Sequence, residues 1–310
     1  MSMATRALAV SAGLLLDRRF GEPPTAWHPV AWFGSAMTAF EARAYADSRA
    51  RGTAYALVGV GLGAAAGRLL GRDTAATAGA TAVCVAGREL RSVAAQIESF
   101  VLSDDLTGAR VALPSLVGRD PSVLDTSDIC AAVIESVAEN SVDAIVAPVF
   151  WGFLLGSPGA CAYRAINTMD AMVGHRGDRY GRFGSAAAVI DDVANYVPAR
   201  IFAVLVAVVE PHRGLAVARL VIRDASAHPS PNAGVAETAM AAALGRELGG
   251  PLHYGLLRED RPRLGDGPRP SAADVTRAIE ISRRVECVMT ALLVVGAVRS
   301  LLRRGLRRGR

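Results

Sequence analysis

Residues 135–200 read ESVAENSVDAIVAPVFWGFLLGSPGACAYRAINTMDAMVGHRGDRYGRFGSAAAVIDDVANYVPAR, and this stretch decides the fold. It contains the longest charge-free run of the chain, from Ala144 to Tyr163. Polar groups next to an apolar span are costly unless they have partners. Carboxylates and amides nevertheless flank both ends of the run: Glu135, Glu139, Asn140 and Asp143 before it, and Asn167, Asp170, Asp191, Asp192 and Asn195 after it. We therefore expect the functional site here.

The residues before the run predict one helix with an acidic face. Ser127 is a suitable N-cap, and the helix is expected over residues 128–156. Glu135, Glu139 and Asp143 then lie at i, i+4 and i+8 on one face. Like charges at this spacing repel each other, and no Lys or Arg of the same helix offsets them. Two interpretations stay open: a solvated acidic face, or a site for a cation or a magnesium–nucleotide complex.

The apolar run itself contains the turn sequence Gly156-Ser-Pro-Gly159, which would interrupt a straight span. We expect a helical hairpin instead, with one arm ending at this turn and the other running from it to about Gly174. Asp143, Asn167 and Asp170 then lie at similar distances from the turn, roughly 15–21 Å at 1.5 Å per residue. Asp143 should face Asn167 and Asp170, so that two polar patches become one site.

A glycine-rich loop and a helix follow the hairpin. The loop carries three cations suited to phosphate, Arg176, Arg179 and Arg182; a plain surface loop is the alternative. The helix is expected over residues 185–200 and contains Asp191, Asp192 and Asn195. Pro198 should close it, because proline removes a helical hydrogen bond. Residues 201–209 begin another apolar segment, which is weak as a full span.

Composition excludes several classes of protein. The chain has 310 residues, 51% of them hydrophobic, and a mean hydropathy of +0.29, at the apolar end for a soluble protein. All 34 basic residues are Arg, and the absence of Lys excludes a Walker A loop and a pyridoxal phosphate aldimine. The net charge is +5, but no basic stripe alternates with aromatic residues, so nucleic-acid binding is not expected. Four cysteines without a CxxC spacing argue against a zinc site.

The remaining chain reads as a membrane protein. Apolar stretches lie at 7–16, 53–67, 74–87 and 287–298, and polar connections at about 88–128 and 258–272. The N-terminus lacks a small-residue cleavage site, so we interpret it as a retained membrane segment. Six Arg at the end of the chain predict a cytoplasmic C-terminus. We predict one all-α, multi-pass helical domain over residues 1–310, with a broken or re-entrant hairpin at Gly156–Gly159.

Four blocks of residues, in order and over nearly the whole chain, resemble the CobD/CbiB family of cobalamin biosynthesis. The first is Asp17 with Gly21-Glu-Pro23 and His28-Pro-Val30. The second is Val117-Gly-Arg-Asp120, then Glu135-Ser-Val-Ala-Glu-Asn140 with Asp143. The third runs from Tyr163-Arg-Ala-Ile-Asn-Thr-Met-Asp170 to Pro198-Ala-Arg200, and the fourth is His228-Pro-Ser-Pro-Asn-Ala-Gly234 with Glu237. Arg164 and Arg176 stand where the family usually has Lys.

The resemblance implies a multi-pass enzyme of the cytoplasmic membrane, an adenosylcobinamide-phosphate synthase. Such an enzyme joins adenosylcobyric acid to 1-amino-2-propanol or its O-phosphate at the expense of ATP. We expect ATP and magnesium as cosubstrate and metal, and no tightly bound cofactor. The site is expected to face the cytoplasm.

Roles for individual residues follow as hypotheses. Magnesium would be held by Glu139, Asp143 and Asp170, and ligand oxygens would be oriented by Asn140 and Asn167. Phosphates would pair with the loop arginines. The candidate bases for the amine are Glu135, Asp191 and Asp192. The other candidate substrate-binding residues are the motif positions His28, Asn195, His228, Asn232 and Glu237.

Two alternatives from other classes remain open. Broken helices and carboxylates at membrane depth are also how secondary transporters build their sites, although no internal repeat is evident. A non-catalytic membrane partner that holds later corrin-assembly enzymes together is the third reading.

Overall fold

The computed structural model describes residues 1–118, 120–175, 177, 179–254 and 257–308. Helices form most of this part of the chain, and the predicted all-α class is confirmed. The α-helices are α1 Met3–Phe20, α2 Pro29–Ala44, α3 Arg49–Leu70, α4 Thr74–Cys84, α5 Gly87–Leu102, α6 Leu106–Ala112, α7 Thr126–Ser141, α8 Ala147–Leu155, α9 Ser157–Val173, α10 Ser185–Val209, α11 Gly214–Asp224, α12 Ala233–Leu244 and α13 Ala272–Arg308. One antiparallel hairpin joins β1 Leu248–Tyr254 to β2 Leu257–Leu264.

The chain divides into two compact units. Unit 1 contains Met1–Ala86, Asp143–Asn195 and Met289–Arg310, and unit 2 contains Gly87–Val142 and Tyr196–Val288. Helices α10 and α13 each contribute residues to both units.

Unit 1 is built around the close packing of α3 against α9. A Cβ added to Gly63 would lie 2.7 Å from the Ala165 Cβ, and one added to Gly67 would lie 2.5 Å from the Ser157 carbonyl oxygen. Any side chain at these positions would separate the two helices. Beside this contact, Tyr55 and Met169 belong to a buried apolar cluster that continues to Phe183 at the end of the loop after α9.

Unit 2 is built around α12, all of whose residues are buried. Its neighbours in this unit include α7 and α11. Polar contacts also hold the interior, since the hydroxyls of Ser141 and Ser282 are hydrogen-bonded at 2.8 Å. Within the predicted polar connection at 258–272, part of the chain is a strand, because Leu257–Leu264 pairs with the preceding strand. Main-chain pairing satisfies backbone groups here despite the prolines and glycines that suggested a loop.

The helix predicted over residues 128–156 is three segments. Helix α7 ends at Ser141, a π-helical turn covers Val142–Val146, and α8 follows. The N-cap is Asp125, whose Oδ1 accepts from the Asp128 N–H at 2.8 Å, and not Ser127. The π turn changes the number of residues per helical turn. The i, i+4, i+8 spacing that predicted one acidic face therefore does not hold as far as Asp143.

Helix α10 is continuous through Pro198, which the sequence predicted to close it. Proline at position i leaves the carbonyl at i−4 without its helical donor. That carbonyl belongs to Ala194, and it accepts the indole N–H of Trp151 at 3.1 Å. A side chain from α8 therefore replaces the missing backbone donor, and the predicted break between residues 200 and 201 is wrong.

Three helices are long and apolar enough to cross a membrane: Arg49–Leu70, Ser185–Val209 and Ala272–Arg304. They fit a membrane protein by length and composition. Helix α1, which contains the N-terminal segment interpreted above as a retained membrane segment, is not among them, since its 18 residues include four charged ones. The charge-free run is not a single span either, because it is divided between α8 and α9.

Candidate functional site

The predicted helical hairpin is present in unit 1. Helix α8 ends at Gly156, whose φ of +73° favours glycine, and α9 begins at the next residue. The two arms pack closely, because a Cβ added to Gly159 would lie 2.3 Å from the Trp151 carbonyl oxygen. The turn chemistry of the sequence therefore located the reversal correctly.

The hairpin brings Asp143 against Asn167, as predicted. The Asn167 amide donates to Asp143 Oδ2 at 3.0 Å. Tyr163 lies between this pair and α10: its hydroxyl donates to Asn195 Oδ1 at 2.8 Å and is 3.4 Å from Asp143 Oδ1. The Asn195 amide donates to Asp191 Oδ2 at 2.9 Å. We call these five residues, Asp143, Tyr163, Asn167, Asp191 and Asn195, the hairpin network.

The network concentrates negative charge. Asp143 and Asp170 both interact electrostatically with Asp191, and Asp192 interacts with Asp170. Asp191 Oδ1 is buried without a hydrogen-bond partner among the described residues. Burial, and next the charge of Asp192, raise the pKa of Asp170 to about 6, while His175 acts in the opposite direction. Four carboxylates therefore share a region where like charges repel.

These carboxylates fit a magnesium ion that is shared with phosphates. No three His, Cys, Asp or Glu side chains of the described residues are arranged to hold a metal by themselves. Magnesium usually keeps several waters and needs only one or two carboxylates beside substrate phosphates. Asp143 and Asp170 supply such oxygens, and a cation would offset the burial and the Asp192 charge that raise the pKa of Asp170. Glu139, the third predicted ligand, belongs to unit 2 and has an exposed side chain.

The loop arginines are placed differently from the prediction. Arg176 lies outside the described residues. Arg179 donates to Glu41 Oε1 at 2.8 Å, and its guanidinium lies 4.3 Å from the centre of the Tyr45 ring. Arg182 lies 3.7 Å from Asp47, and both side chains are exposed. Arg179 and Arg182 thus have carboxylate partners outside the hairpin network.

Two residues of the site were not assigned a role from the sequence. Tyr163 is buried, and its pKa is raised first by burial and then by Asp143 and Asp191, so the phenol stays protonated and donates. Arg164 contacts the network through Asn167, to which its Nη1 donates at 3.4 Å. Both lie in the Tyr163–Asp170 motif. Membership of this motif is the one sequence feature that could have indicated a role for them.

His28 occupies a structural position at the start of α2. Its Nδ1 accepts from the Val30 N–H at 3.2 Å and caps the helix, and its Nε2 lies 3.8 Å from Glu22. Burial, followed by the charge of Arg164, lowers the pKa of His28. The imidazole is therefore neutral near pH 7.

The remaining predicted residues belong to unit 2. Glu135 is buried, and its Oε1 accepts from the Gly249 N–H at 2.8 Å. The Asn140 amide donates to the Ser136 carbonyl at 2.9 Å. The first contact joins α7 to β1, and the second lies within α7.

The fourth motif forms its own polar group in unit 2. His228 Nε2 lies 3.9 Å from Glu237 Oε1, and both side chains are buried. Asn232 Oδ1 accepts from Arg200 Nη1 at 3.0 Å. The motif thus connects the residues before α12 to α12 itself and to α10.

Comparison with known proteins identifies the family. The family model described as "CobD/Cbib protein" matches residues 10–282. The chain belongs to the CobD/CbiB family. The "Cobalamin biosynthesis protein CobD" of Mycobacterium tuberculosis strain H37Rv is 47% identical over 300 residues, which cover 94% of this chain and 96% of that protein. The resemblance predicted from the four blocks is confirmed.

Two other relatives with the same name come from different bacteria. The protein of Rhodobacter capsulatus is 46% identical over 215 residues, covering 69% of this chain and 68% of the relative. That of Brucella suis biovar 1 is 36% identical, covering 96% and 98%. No solved structure gives a significant match. A role in cobalamin biosynthesis follows from the family.

Proposed function

We propose that this chain is an ATP-dependent acid–amine ligase that joins adenosylcobyric acid to 1-amino-2-propanol or its O-phosphate. The observation that carries the proposal is the hairpin network, in which polar side chains of the π turn, α9 and α10 meet in one region. Family membership and the printed names of the relatives support the pathway.

A carboxylate needs activation before an amine can displace its oxygen. In the proposed reaction an oxygen of the free propionate attacks the γ-phosphorus of ATP, and ADP leaves with the bridging oxygen. The amine nitrogen then attacks the carbonyl carbon of this acyl phosphate, phosphate leaves, and the nitrogen loses a proton. Phosphoryl transfer of this kind depends mainly on positioning and charge neutralisation.

The residues divide this work as follows. Asp143 and Asp170 would hold magnesium, which would neutralise phosphate oxygens. Asn167 fixes the Asp143 carboxylate through its hydrogen bond. Asp191 is the candidate proton acceptor, because one of its buried oxygens has no partner among the described residues while Asn195 holds the other. Asp192 is the other candidate base in unit 1.

The cell membrane is the proposed location. Three helices of suitable length and composition support membrane insertion. Six Arg in the last twelve positions favour a cytoplasmic C-terminus. We place the site on the same side, where ATP is available.

The test is turnover by the purified protein in detergent with adenosylcobyric acid, ATP, magnesium and each amine, followed by mass spectrometry. We expect one amide product and one ADP per turnover. Asp143→Asn or Asp170→Asn variants that keep turnover within twofold of wild type would disprove the metal assignment. Corrinoid uptake into vesicles without amide formation would favour a transporter. Rescue of a deletion strain by these variants would favour a scaffold.

A further inference from the structure

Arg164 is placed unlike Arg179 and Arg182. It is half-buried on α9, and its Nη1 donates to Asn167 Oδ1 at a long 3.4 Å. Its Nε is buried without a hydrogen-bond partner among the described residues. No carboxylate in the described part of the chain forms an ion pair with it, whereas Arg179 and Arg182 both have one.

The surroundings of Arg164 join two parts of unit 1. On one side the guanidinium interacts electrostatically with the Tyr163 hydroxyl, a member of the hairpin network. On the other side it interacts with His28, the neutral cap of α2. Arg164 is therefore a positive charge at the edge of a group of carboxylates, and none of the carboxylates among the described residues forms an ion pair with it.

This arrangement is costly unless a ligand completes it. A guanidinium carries five N–H donors in a fixed fork, and a buried donor without an acceptor reduces stability. An oxyanion is the chemical group that fits such a fork, because carboxylate and phosphate oxygens accept two parallel hydrogen bonds from Arg. The hydrogen bond to the neutral Asn167 oxygen is long, and the buried Nε has no acceptor among the described residues.

We propose that Arg164 binds an oxyanion of one substrate beside the hairpin network. The inference rests on the proposed function and deepens it, since it names the residue that receives the anionic end of a substrate. Three substrate groups share this chemistry: a phosphate of ATP, the phosphate of aminopropanol phosphate and the reacting carboxylate of the corrinoid acid. The reacting groups then lie between a cation on α9 and the carboxylates of the network.

The test is binding of each substrate separately to the detergent-solubilised full chain. The probes are ATP with magnesium, 1-amino-2-propanol O-phosphate and cobyric acid, each titrated against wild type, Arg164→Gln, Arg164→Lys and Arg43→Gln. Arg43 is an exposed control whose guanidinium bonds the Ala39 carbonyl of its own helix. We expect Arg164→Gln to lower the binding affinity for one ligand by about 10–100-fold, as the loss of a charge-assisted hydrogen bond predicts. The affinities for the other two ligands should not change. Arg164→Lys keeps the charge without the fork, so its affinity for that ligand should fall less. Arg43→Gln should bind all three ligands with wild-type affinity.

Three outcomes would overturn the inference. If the Arg164→Gln and Arg164→Lys variants bind all three ligands within twofold of wild type, the proposed function stands and the role of Arg164 is wrong. If all three affinities fall together with the melting temperature in both variants, Arg164 is structural. Wild-type protein that binds none of the three would overturn the proposed function as well.

Discussion

The buried acids of the two units have different partners. In unit 2, Glu286 receives the Arg91 guanidinium at 2.6 Å, and Asp274 receives Arg246 at 2.9 Å. In unit 1, Asp191 receives the amide of Asn195, and no cation among the described residues forms an ion pair with it. Only the first arrangement places a cation beside the carboxylate.

The difference separates a structural acid from a functional one. A buried carboxylate beside a guanidinium is part of a closed pair, and removing one member leaves an uncompensated charge. A buried carboxylate held by neutral donors can still be neutralised by a cationic ligand, and its burial is costly to stability. We therefore expect acid-to-amide changes in unit 2 to reduce stability and those in the hairpin network to reduce turnover.

Glu286→Gln should show the largest effect on stability. The change leaves Arg91, whose side chain is 12% exposed, without its ion pair, and we expect the free energy of unfolding to fall by about 3–5 kcal/mol. Denaturation in mixed micelles measures it. The matched control is Glu280→Gln, because Glu280 and Arg283 have the same 2.6 Å separation but are 46% and 44% exposed. That change should cost about 0–1 kcal/mol, and equal losses in the two variants would contradict the comparison.

Asp191→Asn should have a large effect on turnover and little effect on stability. The isosteric amide keeps an acceptor for Asn195 but removes the charge and the proton acceptor, so turnover should fall by about 100–1,000-fold. The melting temperature should stay the same or rise, because a buried charge is lost. Steady-state turnover and thermal unfolding are the two measurements. A variant that unfolds more easily yet turns over normally would place Asp191 with the structural acids of unit 2.

Gly159→Ala tests whether the network depends on the packing of the hairpin arms. The added Cβ would lie 2.3 Å from the Trp151 carbonyl oxygen and 2.6 Å from the Leu155 Cβ, so one arm must shift. We expect a loss of about 1–3 kcal/mol in stability, together with reduced turnover. The control is Gly61→Ala, where an added Cβ meets nothing within 4 Å and the helix should gain up to about 1 kcal/mol. Similar results for both glycines would show that the arms are not close-packed.

The sequence predicted the parts of the site that depend on local chemistry. The Gly156–Gly159 turn marked the reversal, and equal distances from it placed Asp143 opposite Asn167. It did not predict that α10 continues through Pro198, because the donor that satisfies the Ala194 carbonyl comes from Trp151, 43 residues away.

Two further features were beyond sequence reasoning for similar reasons. The π turn at Val142–Val146 has no residue type that marks it, and it interrupts a helix that the apolar pattern favoured. The partners of Arg179 and Arg182 are Glu41 and Asp47, which belong to the N-terminal segment of unit 1. Arginine content and glycine spacing predicted a phosphate loop, but only the tertiary contacts show that these two charges are already paired.

The smallest expected effect is the pH dependence of stability that Asp170 causes. It tests directly whether the acids of unit 1 differ from those of unit 2. Burial and Asp192 raise the pKa of Asp170 to about 6 in the folded protein, whereas an unfolded Asp titrates near 3.9. The folded state therefore binds this proton more tightly, and the stability of the wild type should fall as the pH rises from about 4 to 6. Asp170→Asn lacks this titration.

The two proteins should thus be equally stable near pH 4, and the variant should be more stable by roughly 1–3 kcal/mol at pH 7. Unfolding in mixed micelles across this range measures the difference. Turnover of the wild type should rise through pH 6, since the proposed magnesium ligand is the carboxylate, and the variant should stay inactive throughout. A stability difference that does not change between pH 4 and 7 would mean that Asp170 carries no uncompensated charge. The network would then be closed in the same way as the ion pairs of unit 2.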